Sequence, residues 1–194
     1  MGSELEELIV ADAAAWRSWL DRYHGERPGV WLALAKKGAS GATSLTHEQA
    51  LLEALCFGWI DGQVRRGDER TYRQRFTPRQ PRSAWSKRNV DLAERLLAEG
   101  RMRAAGGAAI ERARKDGSWQ NAYAGSATIK VPDDLAAALV AQPGAAAMFE
   151  RLTSQNRYAI LYRLATAKRT ETRTRRLNQY VAMLARGETI YPQR

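Results

Sequence analysis

The hydrophobic period of the chain changes at Gly58, and this change constrains the fold more than any other feature of the sequence. Residues 46–58, THEQALLEALCFG, have helical spacing, a capping box at the start and a glycine at the end. From 59 to 78, side chains of contrasting polarity alternate on both sides of a turn at 67–69, a pattern typical of a β-hairpin. A helix that leads directly into a hairpin predicts an α+β protein.

The remaining patterns extend this prediction to the whole chain. Residues 12–24 carry an aromatic stripe at helical spacing, and the apolar run GVWLALAKK (29–37) is typical of a strand covered on both faces. After residue 83 the periodicity is helical. We therefore expect a small antiparallel sheet of about three strands covered by helices, with a helical carboxy-terminal part. Residues 1–120 are expected to form the α+β core with the hairpin and an arginine-rich pocket, and residues 121–194 a helical part packed on that core as one unit.

The positive charge of the chain is unevenly distributed. Residues 1–100 hold 15 Lys and Arg against 14 Asp and Glu, whereas residues 101–194 hold 16 against 7. Two basic islands, 65–88 and 151–176, each carry a net charge of +7. Such islands attract nucleic acids, phosphorylated metabolites and acidic proteins, although they are also compatible with solvated faces that bind nothing.

Several classes of site and location are disfavoured by composition. The single cysteine, Cys56, excludes an internal disulfide, the amino terminus is acidic where a secretory signal is basic, and no apolar run approaches a bilayer-spanning length. We therefore expect a cytoplasmic protein without a membrane span. Two histidines without paired ligand spacing predict no metal site. Neither a phosphate-binding glycine loop nor a nucleophile elbow is present, so we expect no cofactor, and binding is favoured over catalysis.

Asp61 is the carboxylate with the most unusual setting. Regular alternation places it on one face of its strand with Trp59, Gln63 and Arg65. Arg73 and Arg75 would share a face of the partner strand, where cross-strand pairs of opposite charge stabilise a hairpin. Asp61 is therefore either one half of a hairpin ion pair or the group that orients the arginines of a ligand pocket.

The strongest candidate for a binding site is the segment RFTPRQPRSAWSKRN (75–89). Arg79 and Arg82 flank a proline-stiffened turn that runs into a helix capped by Ser83 or Ser86. The free N–H groups of a helix start and two guanidiniums together suit an anion, and Trp85 would add a stacking face. On this interpretation Arg79 is a surface residue whose loss changes stability little. In the alternative interpretation the arginines cap carbonyls or pair with the acids at 68 and 69, and Trp85 fills the core.

Five motifs of the chain together resemble a known family. GVWLALAKK, EALCFGWIDG, RFTPRQPRSAWSKRN, KDGSW followed by AY, and AKRTETRTRRL occur in this order across about residues 12–187. They resemble the YdeI/OmpD-associated family, labelled bacteriocin-protection proteins. The resemblance implies a bacterial cytoplasmic protein connected with resistance to antimicrobial peptides or bacteriocins, and it implies no particular reaction. The later motif contributes the matching positions Lys168, Glu171, Thr172 and Arg173.

The hairpin, the turn and the matching motif positions define the predicted site. Its ligand-binding residues are Trp59, Asp61, Arg75, Thr77, Arg79, Arg82, Ser83, Trp85 and Asn89. The catalytic residues are left unassigned.

Three functions follow from these observations. The first is a cytoplasmic stress or antimicrobial-protection protein that binds an anionic small molecule or an acidic partner in the arginine-rich pocket. The second is a nucleic-acid-binding module that uses both basic islands for phosphates and exposed aromatic side chains for bases. The third is an enzyme acting on an anionic substrate, with Asp61 or His24 as the base. The exposure of Trp31 and Trp85 separates the first two, because a buried ring cannot stack on a base.

Overall fold

The chain forms two compact units, each with its own core. A computed structural model describes residues 5–39, 41–81, 83–167 and 169–193. The first unit consists of the described residues of 1–85 and 89–121, and the second consists of those of 86–88 and 122–194.

Helices and strands alternate in the first unit, and the second is helical. The first unit contains β1 (Glu6–Leu8), α1 (Ala13–Tyr23), β2 (Val30–Ala35), α2 (His47–Cys56), β3 (Trp59–Arg66), β4 (Thr71–Pro78) and α4 (Ala104–Lys115). Helix α3 (Lys87–Ala98) has its first two residues in the second unit and the others in the first. The second unit contains α5 (Asp133–Val140), α6 (Pro143–Glu150), α7 (Ser154–Ala165) and α8 (Thr170–Ala185). Across the described ranges, every helix is too short or too polar to cross a membrane.

The sheet confirms the predicted α+β class and differs from the prediction in two details. Its strand order is β1-β2-β4-β3, so it has four strands where about three were expected. β1 pairs in parallel with β2, while the other pairs are antiparallel, which makes the sheet mixed. The sequence Glu6–Leu8, EEL, has neither the length nor the apolar alternation of a strand. β1 is therefore a strand because its backbone pairs with β2. The side-chain pattern of β1 does not predict a strand.

A β-bulge in β3 decides which side chains of the hairpin face the helices. Asp61 pairs with Phe76, whereas Val64 pairs with Gln74, so β3 has one residue more than β4 between these pairs. Paired residues lie on the same face of a sheet, and the extra residue reverses the alternation that follows it. Arg65 therefore pairs with Arg73 on the face opposite Asp61. The prediction that Trp59, Asp61, Gln63 and Arg65 share a face is wrong for this reason.

Aromatic side chains form the contact between α1 and the sheet. Trp16 lies with its ring centroid 6.3 Å from that of Trp59 and 5.7 Å from that of Phe76. Its indole Nε1 donates a hydrogen bond to the carbonyl of Ala50, in α2. Trp16 and Leu20 are fully buried and Trp19 and Tyr23 are half-buried, so the aromatic stripe of α1 faces the core.

A buried carboxylate links three segments of the first unit. Glu53, in α2, is 7% exposed and accepts hydrogen bonds from the guanidiniums of Arg17, in α1, and Arg101. Two cations and one anion satisfy each other, so the charges are tolerated in a dry environment. Cys56 is fully buried one turn later, and burial raises the pKa of its thiol. The thiol is thus protonated at neutral pH, as expected of a packing residue rather than a nucleophile.

Arginines of the second unit hold the ends of its helices together. Arg173 donates two hydrogen bonds to the carboxylate of Asp134 and one to the carbonyl of Leu164. Arg176 donates to the carbonyl of Arg163. These carbonyls belong to the last turn of α7, where a helix supplies no N–H donors for its own carbonyls. Part of the second basic island is therefore structural.

Leu55→Ala should destabilise the first unit. Leu55 is 2% exposed on α2, so the substitution removes buried methyl groups and leaves a cavity that costs roughly 2–5 kcal/mol. Chemical denaturation would measure the free energy of unfolding. Leu97→Ala, at a side chain that is 40% exposed, is the matched control. Equal losses in the two variants would contradict the inward orientation of α2.

Acid should weaken the second unit through Asp134. Its hydrogen bonds with Arg173 hold the pKa of Asp134 below its ordinary value. The charged pair therefore stabilises the unit fully above the unfolded carboxyl pKa of about 4, and this contribution is lost as the pH falls through the lower folded pKa. We expect Asp134→Asn to lower the melting temperature at pH 7 and to match the wild type at about pH 2, measured by circular dichroism. A difference that grows as the pH falls would contradict this coupling.

Candidate anion-binding site

The carboxylate of Asp68 forms hydrogen bonds within the hairpin turn to which it belongs. Asp68 accepts hydrogen bonds from the backbone N–H groups of Arg70 and Thr71 at 2.8 and 2.7 Å, and these bonds hold its pKa below the ordinary value. The Thr71 hydroxyl donates a third at 3.0 Å. The three bonds hold the Asp68 carboxylate against the backbone of the turn.

The face of the sheet opposite Trp59 is rich in arginine. We call the cluster of Trp31, Gln63, Arg65, Arg73 and Arg75 the basic sheet face. The guanidinium of Arg65 lies 3.9 Å from the centroid of Trp31. Arg75 is the cross-strand neighbour of Trp31 and donates from Nη1 to Oε1 of Gln63 at 3.1 Å. Arg73 donates to Glu7 at 3.2 Å and to Thr71 at 2.8 Å.

The charges on this face are unbalanced. Arg65 lies directly opposite Arg73, and like charges in that position destabilise a sheet. Glu7 neutralises Arg73, but within the described ranges no carboxylate lies within 4 Å of the guanidinium of Arg65 or Arg75. The opposite-charge cross-strand pairs expected from the sequence are absent at these described positions. An external anion could therefore act as the counter-charge for the guanidiniums of Arg65 and Arg75.

A second arginine site lies between the end of β4 and α4. We call it the Arg79 pocket, and its lining residues are Arg79, Gln80, Pro81, Ser83, Trp85, Ala109, Arg112, Ala113, Asp116 and Ser118. Arg79 is 7% exposed, lies 3.6 Å from the centroid of Trp85 and donates to the carbonyl of Ala84. Trp85 in turn contacts the ring of Trp119 edge-on. The pocket admits about 20 Å³ of water, which is room for about one molecule.

The structure separates the turn from the helix that was expected to complete this pocket. Helix α3 begins at Lys87, so Ser83 lies four residues before it and Trp85 also precedes it. The N–H of Ser83 donates to the carbonyl of Gln80 within a turn. Of the two predicted caps, Ser83 is therefore wrong, because it lies in the turn before α3, whereas Ser86 directly precedes the helix. Arg82 lies outside the described residues.

Asp61 has a histidine as its partner. Its Oδ2 lies 2.9 Å from Nε2 of His47, and both side chains are roughly one-quarter to one-third exposed. The expected cross-strand pairing with Arg73 or Arg75 is replaced by this contact, because Asp61 pairs with Phe76 and both arginines therefore lie on the other face of the sheet. Nothing in the sequence relates His47, the first residue of α2, to Asp61 in β3. His24, the other candidate base, contacts the carbonyl of Leu20 through Nδ1 at 2.8 Å.

The remaining predicted residues lie in different surroundings. Trp59 is buried, and its indole N–H donates to the carbonyl of His24. Thr77 is half-buried on the same side of the sheet as Arg75, and Asn89 is 8% exposed in α3. The structure therefore brings together Arg79, Ser83 and Trp85 in one pocket, and Arg75 and Thr77 on one face of the sheet. Arg65, Trp31 and Gln63 complete the basic sheet face and were not among the predicted ligand-binding residues.

Arg79→Ala should destabilise the protein more than Asp61→Asn. The expectation that Arg79 is a surface residue is wrong, since its guanidinium is enclosed against Trp85. Its removal should cost roughly 1–3 kcal/mol through lost packing. Asp61 and His47 form a partly exposed pair worth at most about 1 kcal/mol. Chemical denaturation of both variants measures the difference, and a larger loss in Asp61→Asn would contradict the contacts described.

Two family models match the chain in succession. One, described as Domain of unknown function (DUF8412), matches residues 8–109, and these include three of the five motifs quoted above. The other, described as Bacteriocin-protection, YdeI or OmpD-Associated, matches residues 128–187, which include AKRTETRTRRL. No curated protein and no solved structure matches. The resemblance predicted from the motifs is confirmed over 128–187. Since the first match covers more than half of the chain, the protein belongs to the family of Domain of unknown function (DUF8412), and residues 128–187 of its carboxy-terminal part are similar to the YdeI/OmpD-associated bacteriocin-protection model.

Proposed function

We propose that this protein binds an anionic small molecule or an acidic protein segment on the basic sheet face, and that this binding serves protection against bacteriocins in the bacterial cytoplasm. The observation that carries the proposal is the arrangement of Arg65, Arg73 and Arg75. Among the described residues, three guanidiniums share one face of a hairpin, and one carboxylate, that of Glu7, lies beside them. A phosphate or carboxylate group bound by Arg65 and Arg75 would supply a counter-charge to both guanidiniums and accept charge-assisted hydrogen bonds from them.

The face has the rigidity that anion recognition requires. Arg75 is held by Gln63, and its Nε is enclosed, with no hydrogen-bond partner among the described residues. Arg65 is exposed to solvent, but its guanidinium stacks on Trp31. Both groups are therefore ordered before a ligand arrives, so less side-chain entropy is lost on binding.

The burial of tryptophan favours anion binding over base stacking. Trp31 is 6% exposed beneath Arg65, and Trp85 is 4% exposed beneath Arg79. A nucleobase would have to displace a guanidinium before it reached either ring. At these two places the rings are thus not available to bases, whereas the exposed guanidinium of Arg65 is available to an anionic group.

The family label connects this binding to a cellular role. The carboxy-terminal part matches a model described as bacteriocin-protection. A cytoplasmic protein with an anion-binding face would contribute to this protection by binding an acidic protein or a charged metabolite that takes part in the response to bacteriocins. We propose binding rather than catalysis, because the proposal rests on arginine guanidiniums, which stay protonated and therefore do not act as a base.

The double variant Arg65→Ala/Arg75→Ala tests the proposal. Isothermal titration calorimetry of the wild type with inorganic pyrophosphate and with hexaglutamate should detect binding of at least one probe. The double variant should bind that probe about tenfold or more weakly, because two charge-assisted hydrogen bonds are removed. A strain that carries the double variant in place of the wild type should also lose survival on bacteriocin.

The double variant Arg95→Ala/Arg103→Ala is the matched control. Both side chains are about half-exposed and lie elsewhere in the first unit, so the loss of net charge is the same. It should keep wild-type affinity and protection. Failure of the wild type to bind either probe, or equal affinity in the two double variants, would contradict the proposal.

A further inference from the structure

Helices α7 and α8 are joined by a short connection in the most basic part of the molecule. Only residues 166–169 separate Ala165, the end of α7, from Thr170, the start of α8. The second unit holds 13 Lys and Arg against 5 Asp and Glu, a net charge of +8. Two helices joined by three or four residues are the arrangement in which DNA-binding proteins present their second helix.

One face of α8 is polar and unoccupied. Six exposed side chains follow one another along it, and we call them the α8 polar stripe: Thr170, Glu171, Thr174, Arg175, Asn178 and Gln179. Within the described part of the chain none of the six forms a side-chain hydrogen bond or ion pair. A groove lined by five of them, all but Gln179, runs along the helix.

The other arginines of α8 are committed to the fold. Arg173 binds Asp134 and the end of α7, and Arg176 binds the carbonyl of Arg163. One face of α8 is therefore bound to its own unit. The other face exposes both hydrogen-bond donors and hydrogen-bond acceptors to solvent. Exposed arginine, asparagine, glutamine and threonine are the side chains that bind base edges and phosphates in a groove.

We propose that the α8 polar stripe binds duplex DNA, with the first half of α8 in the major groove and Arg169 and Arg175 beside the phosphates. Helix α8 has 16 residues and is therefore about 24 Å long, and a helix of this kind fits a groove about 12 Å wide. The charge of the unit complements that of DNA and would make binding strongly dependent on salt. This site is separate from the basic sheet face, and no tryptophan stacking is involved.

Fluorescence anisotropy of a labelled 25-base-pair DNA duplex with the full chain tests the proposal. The wild type should bind at about 50 mM salt and lose affinity steeply by about 200 mM. Arg175→Ala should bind about tenfold more weakly at the lower salt, since one phosphate contact is lost. An RNA duplex of the same sequence should bind at least about tenfold more weakly than the DNA, because its major groove is too narrow for a helix.

Two control variants test whether DNA binding depends on the α8 polar stripe rather than on net positive charge or on the basic sheet face. Arg186→Ala removes an exposed arginine that directly follows α8, where it pairs with Glu188, and it should keep wild-type affinity within about twofold. Arg65→Ala/Arg75→Ala should also retain DNA binding. The proposal is overturned if the wild type does not bind the DNA duplex at the lower salt, if Arg175→Ala binds as well as the wild type, or if the RNA duplex binds equally tightly.

Discussion

One additional residue in β3, between Asp61 and Val64, sets which side chains of the hairpin face the helices and which face solvent. Before the bulge, Trp59 lies on the face that packs against Trp16 of α1. After it, Arg65 lies on the opposite face, over Trp31. Without the bulge, regular alternation would point Arg65 to the same side as Trp59. The bulge therefore allows one strand to contribute both to a dry core and to a charged surface.

Arginine serves two distinct purposes in this molecule. Arg17 and Arg101 compensate the buried carboxylate of Glu53, and Arg173 satisfies Asp134 together with a helix carbonyl. These guanidiniums are bound to particular groups of the fold: the buried carboxylate of Glu53 in one case, and the exposed carboxylate of Asp134 with a helix-end carbonyl in the other. Others, such as Arg65 and Arg175, have no such role within the described structure and carry the positive potential of the surface. Net charge cannot distinguish the two kinds, because both contribute equally to it.

Local sequence rules located most of the helices and the hairpin correctly. The capping box of α2 forms as the Thr46–Gln49 spacing predicts, and Gly58 has the positive φ of a helix end. A Cβ at Gly58 would lie 2.8 Å from the carbonyl oxygen of Ala105, so the glycine is also needed for close packing. Such features depend on neighbours in the sequence, and a few residues suffice to predict them.

The sequence by itself determined the α+β class, the family relationship and the segments where positive charge concentrates, because period, caps and motifs are local properties of the chain. Only the tertiary structure decided the pairing of β1 with β2, the partnership of Asp61 with His47 and the burial of Arg79 against Trp85. Each of these contacts depends on the register of a strand or the path of a turn. A single inserted residue changes both, and the pattern of side chains does not reveal where that residue is accommodated.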